Sequence, residues 1–318
     1  MTITLAWVRH HLTPPEIVIA SDSRLRTRGP MDQAQKIYQL RRGDCCLSFC
    51  GDAQIAYPLF VQVSVALDNH FRTSSRALDV TSLTGRIEKM LNNMIDAWKL
   101  PTAEKAEELA GTTILFAGWS WRFEKPHIGI FKLQRDCRFQ FHRAGVKLPH
   151  PWRAGAKADL FFIGDYKSEY FAKLSDILQQ RYPAPPKKQN KKIILHWDYE
   201  PVEALQALLR EPDVGGIRAI GGAPQVVKVY PFAQTIPIVV RTGKGTHSLL
   251  GRRLFVWEVT EYPILDLSTR RKAKILYPKR AVPVPDRVRG RRYNPRGSDA
   301  EESRSPEDEL GSFDAADS

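Results

Sequence analysis

Thr2 stands directly behind Met1 in this 318-residue chain, a position that could place two chemical roles on one residue. A small second residue permits removal of the initiator methionine, leaving a threonine with both a hydroxyl and a free α-amine. Such an amine has an ordinary pKa of about 7.7–8.0, so part of it is neutral near physiological pH and can take the hydroxyl proton. Nucleophile and base then reside together, and the rest of the site has to orient them. Many chains begin Met-Thr, so the case rests on the residues downstream.

Asp22 and Arg24, two apart in Ser21-Asp22-Ser23-Arg24, face one side of an extended chain. There the aspartate could orient a cation and the arginine could lock the aspartate. Lys36 comes next; an ammonium near the threonine hydroxyl favours its alkoxide and depresses the pKa of the neighbouring amine. Ser48-Phe49-Cys50-Gly51-Asp52 ends an apolar run at a glycine, where a backbone N–H can stabilise an oxyanion. Singly, each has a plain reading as well: a surface ion pair, a solvated lysine at a strand end, a turn glycine.

Hydrophobic periodicity supplies the scaffold for these groups. Residues 2–10 and 17–20 read as strands joined by a turn through Pro14 and Pro15, and 36–40 and 45–50 as a second strand pair. Apolar stripes over 53–70 and 83–98 predict helices. Strands are expected at 112–119, 128–133, 139–143 and 160–163, then helices over 166–182 and 200–210. Strands at 226–230, 236–241 and 254–259 close the series. No internal repeat is visible, and the order suggests an α+β fold of two antiparallel sheets with helices packed outside them.

In this order the residues resemble the proteasome β-subunit family of N-terminal nucleophile hydrolases, bacterial branch, over roughly residues 2–260. The resemblance rests on Thr2, the SDSR of 21–24, Lys36 and the FCGD of 49–52. Ile114 to Trp119, Leu160 to Asp165 and Val202 to Leu209 look like later family elements. It implies a four-layer αββα sandwich and a threonine-type endopeptidase-like hydrolase that cleaves peptide bonds through an acyl-enzyme on Thr2. In that family Lys36 would lower the pKa, Asp22 would orient with Arg24 behind it, Gly51 would donate to the oxyanion and Phe49 would line the substrate pocket. A Gly-Ser element of the family falls at Gly164-Asp165, so an aspartate stands in the serine's place. For an Asp-x-x-Ser element, Asp213 supplies the aspartate and Gly216 holds the serine's place; aligning on Gly221-Gly222 instead removes the aspartate too. Asp165 and Asp213 join the candidate catalytic set on that basis. Those departures keep two variants of the reading open, an amidase for a small substrate and an inactive structural subunit. The resemblance further implies a cytoplasmic homo-oligomer, ring-shaped and self-compartmentalised, acting on peptide or protein. It leaves open an ATPase partner. With only Met1 ahead of Thr2, activation is expected by aminopeptidase trimming rather than self-cleavage.

Composition agrees with a folded chain: 42% hydrophobic, 10% aromatic and 26% charged residues exclude wholesale disorder and collagen-like or coiled-coil repeats. No apolar run approaches the ~20 residues that span a bilayer, so no membrane association is expected. The cysteines, three of them in CCLSFC, form no CxxC pair, and free thiols in a reducing compartment are expected. No cofactor or metal is called for: Gly243-Lys244-Gly245-Thr246 lacks the phosphate-loop spacing, and His10-His11 and His196-Trp197-Asp198 lack ligand spacing. The net charge of +13 is concentrated late, with eleven Lys/Arg in 270–296 followed by eight acids in 299–317. We therefore divide the chain into a hydrolase domain, 1–268, and a charged extension, 269–318. The basic block could bind nucleic acid; alternatively the two blocks solvate and partly neutralise each other.

Overall fold

In the first strand, β1 (Ile3–Arg9), every position is buried, so both of its faces must be covered. Ile3, Leu5 and Trp7 join one hydrophobic cluster while Ala6 and Val8 join another, as period-two alternation requires. A computed structural model describes residues 2–26, 29–143, 145–146, 160–182, 196–212, 219–232, 234–243, 245–258, 260–269 and 272–278. After β1 come β2 (Glu16–Ser21), the short pair β3 (Leu25–Arg26) and β4 (Pro30–Met31), then β5 (Ile37–Gln39) and β6 (Cys45–Cys50). Helices α1 (Ala53–Asn69), α2 (Phe71–Ser74), α3 (Val80–Ala97) and α4 (Thr102–Glu108) follow. Strands β7 (Thr113–Ser120), β8 (Lys125–Leu133), β9 (Phe139–His142) and β10 (Leu160–Gly164) lead to helices α5 (Lys167–Arg181) and α6 (Glu200–Leu209). The series ends with β11 (Gln225–Tyr230), β12 (Gln234–Gly243), β13 (Thr246–Leu249), β14 (Arg252–Arg253), β15 (Ile264–Asp266) and β16 (Lys274–Leu276).

The fold is α+β with antiparallel sheets. One sheet runs β10-β1-β2-β11-β12-β13-β14, with β15 joining β12 in parallel and β16 pairing β15; the other runs β5-β6-β7-β8-β9. Three clusters hold these elements together. The first joins β1 and β2 to α5 and α6 through Trp7, Tyr170, Leu174 and Leu205. The second joins β6 and β7 to α1 and α3 through Phe49, Phe60, Ile87 and Phe116. The third draws Val8, Ile19, Cys46, Leu115 and Val227 from both sheets. Helix starts are fixed by aspartates: Asp52 accepts from the Gln54 N–H ahead of α1, and Asp79 from the Thr81 N–H ahead of α3.

The structure adds β3, β4, α2, α4 and β13 to β16 to the expected elements and differs from two of the expected assignments. Leu254 to Glu258 is a turn, not a strand: the Glu258 carboxylate accepts from the Phe255 N–H at 2.7 Å and pairs with Arg252, and the Glu258 N–H closes on the Phe255 carbonyl. The first compact unit extends to Pro278, because β16 pairs with β15 beyond the division expected after residue 268. The second unit, Lys279–Ser318, lies outside the described residues.

Away from the strand ends that carry Thr2, a buried ionic group spans three strands of the larger sheet. Glu16 bonds Arg9 and stands 2.9 Å from Lys228 Nζ, with Arg9 and Lys228 both over the Tyr199 ring. Removing the shared carboxylate there takes away Lys228's ion-pair partner inside the protein and leaves Arg9 to Asp198. Glu16→Ala is expected to cost about 3 kcal/mol in urea unfolding, and an unchanged midpoint would contradict this account of the strands.

Candidate active site

Antiparallel registry brings the candidate residues to one end of the strands. Thr2 precedes β1, Asp22 follows β2, Asp165 follows β10, Lys36 precedes β5 and Gly51 follows β6. Ile3 pairs with Gly164 and Thr4 with Ser21, which sets the first three side by side; Ile37 opposite Ser48 sets Lys36 near Gly51.

Lys36 is the centre of the cluster. Its Nζ donates to Thr2 Oγ1 at 2.5 Å and to Asp22 Oδ1 at 2.8 Å, and both Lys36 and Asp22 are fully buried. Burial lowers the lysine pKa, and the Asp22 charge opposes that fall. Asp22 is itself satisfied on both oxygens: the Ile3 N–H donates to Oδ1, and the Arg24 and Gly221 N–H groups donate to Oδ2. These three donors fix the carboxylate where it meets the Lys36 ammonium.

Thr2, also buried, is gripped from the other side by the turn after β10. The Thr2 N–H donates to Asp165 Oδ2 at 3.1 Å, and the Asp165 N–H donates to the Thr2 carbonyl at 2.9 Å. A cleft of about 490 Å³ opens beside it, lined by Asp165, Gly51, Cys50, Asp52, Arg26 and Gly111 among others. Gly51 has φ +114°, and a Cβ there would stand 2.6 Å from the Thr112 backbone, so this wall of the cleft admits only glycine.

Thr2, Lys36, Asp22 and Asp165 are thus in direct hydrogen-bond contact, and Gly51 shares the cleft with Asp165. Arg24 acts differently from expectation. Its guanidinium grips Asp32, with Nε 2.6 Å from Oδ1, and lies against Gly221, where a Cβ would come within 2.4 Å; it supports Asp22 through its own backbone N–H. Arg24 also holds the Asp32 carboxyl below its ordinary pKa. Phe49 is corrected outright as a pocket residue. Alternation along β6 turns it with Cys45 and Leu47 toward the helices, where its ring meets Tyr57 at 5.3 Å and Phe60 at 5.7 Å. Its neighbour Cys50 lines the cleft instead. Asp213 and Gly216 lie outside the described residues.

Sequence reasoning missed Gln225. Its side chain accepts from the Lys36 N–H and donates to the carbonyls of Asp22 and Ala34, tying both halves of the ion pair to β11. It also missed the hydroxyls of Thr4, Ser21 and Ser48. Thr4 donates to Ser21, Ser21 to the Ile3 carbonyl and Ser48 to the Lys36 carbonyl, while Thr4 and Ser48 stand 3.1 Å apart across the two sheets. Polar residues within buried strands were the available signal: Thr4 and Ser21 interrupt otherwise apolar runs.

Other titratable groups are poorly suited to compete. Burial pushes the Cys50 thiol up to about 11, with Asp165 adding to the rise, so it is not a thiolate at neutral pH. Burial pulls His127 down to about 4. No group of three or more His, Cys, Asp or Glu among the described residues is placed to hold a metal ion, and no helix among them is long and apolar enough to cross a membrane. Neither family models nor curated proteins give a match to this chain.

Gln225→Leu removes three hydrogen bonds and strands the Lys36 N–H and two carbonyls. The expected loss is about 2 kcal/mol in denaturant unfolding, together with weaker reaction of any nucleophile at Thr2. A variant as stable as the parent would show that the amide is not needed to hold the ion pair.

Proposed function

We propose that this chain is an N-terminal threonine hydrolase that cleaves peptide or related amide bonds once Met1 is removed. The observation that carries the reading is the Lys36 ammonium, 2.5 Å from the Thr2 hydroxyl and anchored 2.8 Å from Asp22. In the same reading the three hydrophobic clusters are the helix–sheet, sheet–sheet and sheet–helix interfaces of a four-layer αββα sandwich.

The chemistry balances within the site. Thr2 Oγ1 attacks the scissile carbonyl carbon, and its proton passes to the Thr2 α-amine. Lys36 stabilises negative charge developing on Oγ1, and the Gly51 N–H is assigned to the oxyanion. Collapse breaks the C–N bond, returns the proton to the leaving amine and leaves an acyl ester on Thr2. Water, deprotonated by the same α-amine, then attacks the ester, releasing the acid and restoring the threonine. Small amides would be cut by the same atoms. Assembly as a homo-oligomer is supported by an exposed apolar turn in which Phe255 and Trp257 stack at 5.2 Å beside the fully exposed Val256.

Intact and peptide-mapped mass before and after a β-lactone or epoxyketone threonine probe tests the assignment. Loss of Met1 with the adduct on Thr2 is expected. In the Lys36→Met variant adduct formation should slow about 100-fold, with a loss of stability in denaturant unfolding because Asp22 loses its buried partner. A Met1-free chain that takes no adduct would overturn the reading.

A further inference from the structure

Thr2 is held by a reciprocal clamp whose chemistry changes when Met1 leaves. Before removal, Asp165 Oδ2 accepts an ordinary peptide N–H at 3.1 Å; afterwards the same oxygen faces an α-amine. The clamp is tightly built, because Gly164, at φ +112°, lies so close that a Cβ there would stand 1.8 Å from the Thr2 carbonyl oxygen. The Asp165 N–H bond to that carbonyl, at 2.9 Å, keeps the carboxylate from moving away.

We propose that Asp165 is a positioning residue that pairs with the Thr2 α-ammonium and so gates the hydrolase by pH, catalysis rising only as that amine loses its proton. This rests on the threonine-hydrolase reading. The charged and titratable groups around the amine come from β2, β3, β5, β6 and β10 or the residues beside them. Lys36, ahead of β5, opposes Asp165 through its 2.5 Å contact with Thr2 Oγ1, but its charge is paired with Asp22 from the end of β2. Cys50, at the end of β6, is a neutral thiol over the relevant range. Asp52 and Arg26 line the cleft with opposite charges. Among the described residues Asp165 is the carboxylate bonded to the Thr2 nitrogen.

A carboxylate beside an amine favours the ammonium and raises its pKa. The protonated amine cannot accept the hydroxyl proton, so the acid limb of kcat/KM lies at higher pH than an unpaired α-amine gives. Asp165→Asn keeps an oxygen acceptor and the main-chain clamp but removes the charge. It is expected to move that limb down by about one pH unit, while Asp165→Glu leaves it high.

The amine can also be titrated without turnover, from the Thr2 Cα chemical shift of Met1-free protein labelled with 13C-threonine. The expected midpoint is about one unit higher in the parent than in Asp165→Asn. Equal midpoints overturn the proposal whatever the activity, as does an Asp165→Asn enzyme with a lower plateau and an unmoved limb. A chain that titrates as expected but takes no probe on Thr2 keeps the ion pair and overturns the hydrolase reading instead.

Discussion

A lysine ammonium at zero exposure governs the layout of this site. Taking a cation out of water costs several kcal/mol unless an opposite charge meets it with good geometry. Asp22 supplies that charge, yet a buried carboxylate needs donors of its own, and it takes them from the backbone at Ile3, Arg24 and Gly221. Satisfying one ion pair therefore fixes the start of β1, the end of β2, the start of β5 and the approach to β11. Thr2 has little choice of position once its neighbours are so placed.

Strand registry turns this local requirement into architecture. Gln225 is paired with Ser21, one residue before Asp22, and from there its amide reaches both Asp22 and Lys36. The Arg24–Asp32 pair braces the loop between β2 and β5 against Gly221. Within this frame the side chains of Thr4, Ser21, Asp22, Lys36 and Gln225 each find a partner, which is what makes them tolerable in the interior.

Much of this was legible in the chain, for reasons that differ by residue. Asp22, Lys36 and Gly51 were readable because each ends or begins a β-rich run, and strand ends meet when neighbours are antiparallel. Phe49 was misplaced even though alternation along CCLSFC already separates it from Cys50; an apolar ring suggested a pocket where the pleat demanded a helix-facing core. Gln225 carried no signal, since a glutamine opening a strand looks like any solvated strand end until the partner strand is known. The Phe255–Trp257 turn has strand-like composition, and its conformation is decided by the pairing of Arg252 with Glu258, a contact that propensity does not encode. Asp165 was visible as a departure from the resembled pattern, but its two hydrogen bonds with Thr2 depend on how Gly164 turns.

The hydroxyls of Thr4 and Ser48 have a mechanical consequence. Two stacked sheets deform most easily by shear, one plate sliding over the other through apolar contacts that have no preferred register. At the site end, Thr4 belongs to one plate and Ser48 to the other; Ser48 is bonded to the Lys36 carbonyl while Thr4 reaches Ser21, beside Asp22. Sliding would pull these polar atoms off their partners inside a dry interior, a directional penalty that greasy side chains cannot impose. The interlayer thus works as a pin at one edge of the plates. Slip is thereby resisted at the edge that carries Thr2, where the polar atoms of both plates meet.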